Sequence, residues 1–66
     1  MEGKNLSVDE RVRLYQTGDS SLDGLTGLVM GTSSRAYMCN FNIVLLDVPY
    51  NGEKAINIID SCLERV

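Results

Sequence analysis

The chain has 66 residues, a net charge of −3 and no histidine; 44% of its residues are apolar and 23% charged. Such a length holds one small domain with a marginal core, and the composition is that of a folded chain rather than a disordered one. The acidic balance argues against a broadly basic nucleic-acid binder, and the missing imidazole removes the commonest general base and metal ligand together.

Residues 1–9 are polar and without periodicity, and read as a flexible leader ahead of a domain over 10–66. The N-terminus leads into no signal-peptide core, and no stretch approaches the roughly 20 apolar residues of a membrane span, so a cytoplasmic protein is expected. Cys39 and Cys62 then read as two reduced thiols.

From Glu10 two readings compete. Val12 and Leu14 share one face while Arg11, Arg13 and Tyr15 share the other, which is the alternation of a half-buried strand. Ser7-Val8-Asp9-Glu10 also fits a capping box, with Val8, Val12 and Tyr15 at helical spacing. The strand is favoured, because everything downstream is β. Gly18 to Gly24 is a turn-rich loop in which Asp19 and Asp23 suit side-chain-to-backbone turns. Leu25 to Met30 reads as a second strand. Gly27 inside it marks a bulge, a bend or a close backbone approach. Residues 31–35 read as a turn.

From Tyr37 to Leu45 every odd position is apolar, and Val44, Leu46 and Val48 follow on the even ones. An eleven-residue strand would run about 36 Å, too long for a flat sheet in so small a domain. A bent strand that turns a corner and serves two sheets is expected. Pro49 closes it, Asn51-Gly52 supplies a tight hairpin turn, and Lys54 to Ile59 returns as a strand. Residues 60–64 have the length of one helical turn, capped by Asp60 or Ser61, before a strand stub at 65–66.

This order predicts an all-β fold, an SH3-like small barrel of about five strands with one helical turn before the last. The expected core is Val12, Leu14, Leu25, Leu28, Met30, Phe41, Ile43, Leu45, Ile56, Ile58 and Leu63.

The runs Leu22-Asp23-Gly24-Leu25-Thr26-Gly27-Leu28-Val29, Ile43 to Pro49, Ala55-Ile56 and Cys62 to Val66 resemble small SH3-like barrel proteins of tailed bacteriophages, of the marine cyanophage type. The Gly24, Gly27, Val29 cadence also resembles the KOW element of ribosomal proteins and elongation factors. The resemblance covers about residues 10–66 and rests on structural glycines and core positions. It implies a phage-encoded binding module acting in the host cytosol. The basic loops of nucleic-acid-binding KOW domains are not reproduced, since Asp19 and Asp23 occupy the first loop.

No chemistry stands out. The cysteines lack an activating histidine, no spacing suits zinc or an EF-hand, and no carboxylate pair is singled out, so no enzyme, cofactor or metal is expected. The candidate binding residues are Arg11, Arg13, Tyr15, Arg35, Tyr37 and Tyr50. Aromatics and arginines dominate protein contacts, and the same set can grip phosphates and stack bases. The expected function is therefore a non-enzymatic module that contacts a protein partner or a copy of itself. A nucleic-acid-associated role for the Arg/Tyr patch is the alternative, and no membrane is involved.

Overall fold

A computed structural model describes residues 6–36 and 39–66, with the side chains of 35 and 36 left aside. The strands are β1 (Arg11–Leu14), β2 (Thr26–Ala36), β3 (Cys39–Tyr50), β4 (Glu53–Ile59) and β5 (Leu63–Arg65), with a 3-10 turn at Asp60–Cys62 before the last. All pairings are antiparallel, in one sheet ordered β4-β3-β2-β1-β5. The fold is all-β with one short helical turn, as the residue pattern implies. Among the described residues, β4 and β5 are not hydrogen-bonded to each other, so the curled sheet stays open along that seam.

The segment before β1 is tied down by backbone bonds. Asp9 N–H donates to the Val29 carbonyl at 2.7 Å, Val29 N–H returns a bond to Glu10 at 3.0 Å, and Leu6 packs against the core. Within the expected leader, Asp9 is thus bonded to β2 and Leu6 packs against the core; residues 1–5 fall outside the described residues. The capping-box residues do meet. Ser7 N–H donates to the Glu10 carboxylate at 3.0 Å and Glu10 N–H to the Ser7 carbonyl at 3.1 Å. They close a tight turn with Asp9 at positive φ, and a strand follows rather than a helix.

Residues 31–35 are strand and not turn. Register shifts between Val29 and Gly31 and between Thr32 and Ser34 place one extra residue each, Met30 and Ser33, in β2. Bulges bend and twist the strand that carries them. Both long strands are therefore irregular: β2 bends at these bulges, where the small residues Gly31 to Ser34 mimic a turn, and β3 bends as expected, with a register shift against β4 between Leu45 and Tyr50. The 51–52 hairpin is as read: Asn51 and Gly52 both have positive φ, 49° and 80°, the backbone of a tight two-residue turn.

The buried apolar core is Val12, Leu14, Val29, Val44, Leu46 and Leu63, with Leu6, Leu22, Leu25, Tyr50, Ile56 and Ile58 packed around it. The expected alternation in β2 and β3 is inverted. Val29, Val44 and Leu46 point inward, while Met30 and Ile43 are 48% and 39% exposed and Leu28, Phe41 and Leu45 are half-buried. β3 is apolar on both faces from Ile43 to Leu46, so alternation alone cannot choose a side.

The inward face also takes polar residues. Asn40, Asn42 and Asp60 are buried at one end of the core. Asn42 Nδ2 donates to the Asn40 carbonyl at 3.2 Å, Thr32 Oγ1 to Asn42 Oδ1 at 3.4 Å, and Asn40 N–H to Asp60 Oδ2 at 3.1 Å. These bonds offset the cost of burying polar atoms, and no buried side-chain N or O of the described residues lacks a partner. Asp60 thus lies within the 3-10 turn and bonds β3, and makes no side-chain cap.

Candidate functional site

β1 projects Arg11 and Arg13 from its outer face, as the alternation requires. Neither offers an unpaired charge. Arg11 donates two bonds to Asp47, at 3.1 and 3.0 Å, and Asp47 also accepts from Thr26 Oγ1 at 2.5 Å. Asp47 stands on β3, one row beyond the Gly27–Leu46 pair, which brings it beside Thr26 on the outer face. The Thr26 bond first, and the Arg11 bond after it, hold the Asp47 carboxyl below the usual carboxylate range. Arg13 bonds Glu64, its directly opposite residue on β5, at 2.6 Å. Arg65 pairs with Glu10. The backbone bond from Ser7, aided by Arg65, lowers the Glu10 pKa.

Tyr50 belongs to a different neighbourhood. Its ring packs against the core and its hydroxyl donates to Asp19 Oδ2 at 2.5 Å. Asp19 Oδ1 accepts from Ser21 N–H at 2.9 Å. Asp23 Oδ1 accepts from Thr17 N–H at 3.0 Å and from Thr17 Oγ1 at 2.6 Å. The two aspartates therefore knit the loop, as Asx-type turn chemistry expects, and Tyr50 anchors it to β3. The shared hydrogen bond lowers the Asp19 pKa and raises that of Tyr50. Thr17 does the same for Asp23, whose pKa is lowered.

Tyr15 is half-buried at the end of β1, with its N–H on the Cys62 carbonyl at 2.9 Å. Tyr37 and the side chain of Arg35 lie outside the described residues. Of the six candidate residues, then, Arg11 and Arg13 share a face, where carboxylates neutralise them, and Tyr50 serves the acidic loop.

The feature that sequence reasoning missed is the outer face of β2, β3 and β4. The register lines up Leu28, Leu45 and Ala55 in one row, Gly31, Ile43 and Asn57 in the next, and Phe41 with Ile59 beyond. Met30, the first bulge residue, adds its side chain to the same surface at 48% exposure. The signal lies in the apolar odd positions of 37–45, which alternation assigns to the core. Cys39 and Cys62 are free thiols, both half-buried. Among the described residues there is no enclosed cavity, no cluster of three or more potential metal ligands, and no helix long and apolar enough to cross a membrane.

Comparison of the chain with protein-family models, with curated proteins and with solved structures gave no match in any of the three.

Proposed function

We propose that this protein is a non-catalytic SH3-like binding module, of the phage type its sequence resembles, that contacts protein through the outer face of β2, β3 and β4. The observation that carries the reading is the apolar surface of Leu28, Met30, Ile43 and Leu45 on a domain of only 66 residues. A contiguous exposed apolar patch marks an interaction surface more often than chance placement does. The arginines, tied to Asp47, Glu64 and Glu10, frame one end of it with paired charges. Such a rim favours a protein partner over a polyanion, whose phosphates would have to displace three carboxylates.

The test is selection from a displayed library of random peptides with the folded protein as bait. Enriched peptides should be apolar and should bind the Ile43→Lys variant at least about tenfold more weakly, since a charge at the centre of a contact removes a dominant share of its energy. Equal binding by that variant, or enrichment of nothing, sinks the reading. Amide shifts at Arg11 and Arg13 on adding DNA or RNA oligonucleotides, fading with salt, would put the nucleic-acid role in its place.

A further inference from the structure

β4 ends the sheet. Among the described residues it pairs only with β3: residues 55–59 pair in one unbroken register from Phe41↔Ile59 to Leu45↔Ala55, and after a register shift Tyr50 pairs with Glu53 at the hairpin end. An edge strand leaves alternate N–H and C=O groups unpaired, and proteins blunt such edges with charge, proline, bulges or brevity. Glu53 and Lys54 do this at one end, but residues 55–59, Ala-Ile-Asn-Ile-Ile, carry none of these devices. On the inward side Ile56 and Ile58 reach the core yet remain only half-buried, because no strand lies beyond them.

The residue order along this edge suits a second copy of itself. In an antiparallel pair related by a two-fold axis, side chains stay on matching faces only when the paired residue numbers have an even sum. Centring on Asn57 sets Asn57 opposite Asn57, Ile56 opposite Ile58 and Ala55 opposite Ile59. Glu53 and Lys54 then fall beyond the apolar stretch, opposite Ser61 and Asp60. Centring on Ile56 would instead oppose Lys54 to Ile58 and Glu53 to Ile59, and centring on Ile58 would oppose Ile56 to Asp60. One register is self-complementary, and its neighbours are not. Asn57 Oδ1 accepts from Ser33 Oγ at 2.7 Å, which holds the side chain on the outer face, where it is exposed.

We infer that two copies join edge to edge through β4, antiparallel and centred on Asn57, to make one continuous ten-stranded sheet. A standard interface takes roughly 800 Å² from each partner, about a fifth of this molecule's 4190 Å². A five-residue edge supplies less, so the dimer forms at high concentration and dissociates on dilution. The surface joined here is the backbone edge of β4, although Asn57 also stands on the outer face beside Ile43; protection of the edge amides and the Ile43→Lys comparison, not the Asn57 variant alone, separate this inference from the outer-face reading.

Sedimentation equilibrium over a dilution series tests it, with Asn57→Asp as the diagnostic variant. Aspartate keeps the acceptor for Ser33 and is exposed in the monomer, but sets like charges directly opposite each other on the axis. The parent should rise from 7.3 kDa towards twice that mass. The variant should need roughly fivefold more protein to do so, and added salt should narrow the gap. Hydrogen exchange on the parent adds a readout that needs no variant: the alternate amides of 55–59 not bonded to β3 should gain protection at high concentration. A parent that stays at 7.3 kDa overturns the inference, as does an Asn57→Asp variant that dimerises like the parent. A dimer lost in Ile43→Lys but kept in Asn57→Asp assigns association to the outer face and overturns it too.

Discussion

A Cβ built on Gly27 would stand 2.4 Å from the Leu45 carbonyl oxygen and 3.0 Å from its carbon. Of the three meanings an interior strand glycine can have, this position shows close backbone approach, and the obstacle is main chain, which cannot swing aside. Gly27→Ala should therefore cost about 3 kcal/mol, the upper part of the range for overpacking. A thermal melt of the variant that matched the parent would mean that β2 and β3 can separate locally at no cost. The Asp19–Tyr50 bond makes a second prediction at this scale. Asp19 is lowered when folded, so its contribution is present above the unfolded carboxylate pKa, about 4, and is lost as pH falls through the folded value. Glu10, Asp23 and Asp47 act in the same direction. Tyr50 is raised, so its contribution is complete below about pH 10 and is lost as pH rises through its folded value. Tyr50→Phe should remove the alkaline loss and soften the acid one in a series of thermal melts against pH. Unchanged limbs on both sides would show that the bond does not persist in solution.

Among the elements, β3 explains what could be read beforehand and what could not. Strand order, the Asn51-Gly52 turn and the helical turn before the last strand follow from local chemistry, because glycine, asparagine and proline act where they stand. Which side of β3 faces the core does not. Asn40 and Asn42 on the even positions resemble a wet face, and only partners distant in sequence, Thr32 and Asp60, make them tolerable inside. The candidate site divides in the same way: alternation puts Arg11 and Arg13 on the outer face of β1, but Asp47 and Glu64, which pair with them, lie 36 and 51 residues away. The inverted alternation is directly testable with neighbouring leucines of the same size. Leu46→Ala should cost about 3 kcal/mol as a large-to-small change in the core, and Leu45→Ala markedly less. Denaturant melts giving the opposite order would restore the odd positions to the interior.

The whole molecule couples a small core to an outer face on which Met30 and Ile43 are exposed beside half-buried Leu28 and Leu45. Among the described residues six side chains form the buried apolar cluster, and a chain of this length hides only about 60% of the surface it exposes when unfolded. Covering the outer face or the β4 edge would add burial that the monomer lacks. The three ion pairs among the described residues are half-exposed, and pairs of that kind contribute at most about 1 kcal/mol each. Their larger effect is to leave the β1 side of the sheet with little free positive charge.

The placement of β1 between β2 and β5 bears on the order in which the chain can fold. The β2–β3 and β3–β4 pairings join segments that are close in sequence, whereas β1 meets β5 across separations such as the 51 residues between Arg13 and Glu64. Closing so long a loop costs entropy before its contacts form. The central hairpins thus assemble first and offer a template, and the two ends of the chain zip together last. By the same logic the β1–β5 seam is the first part of the native sheet to open.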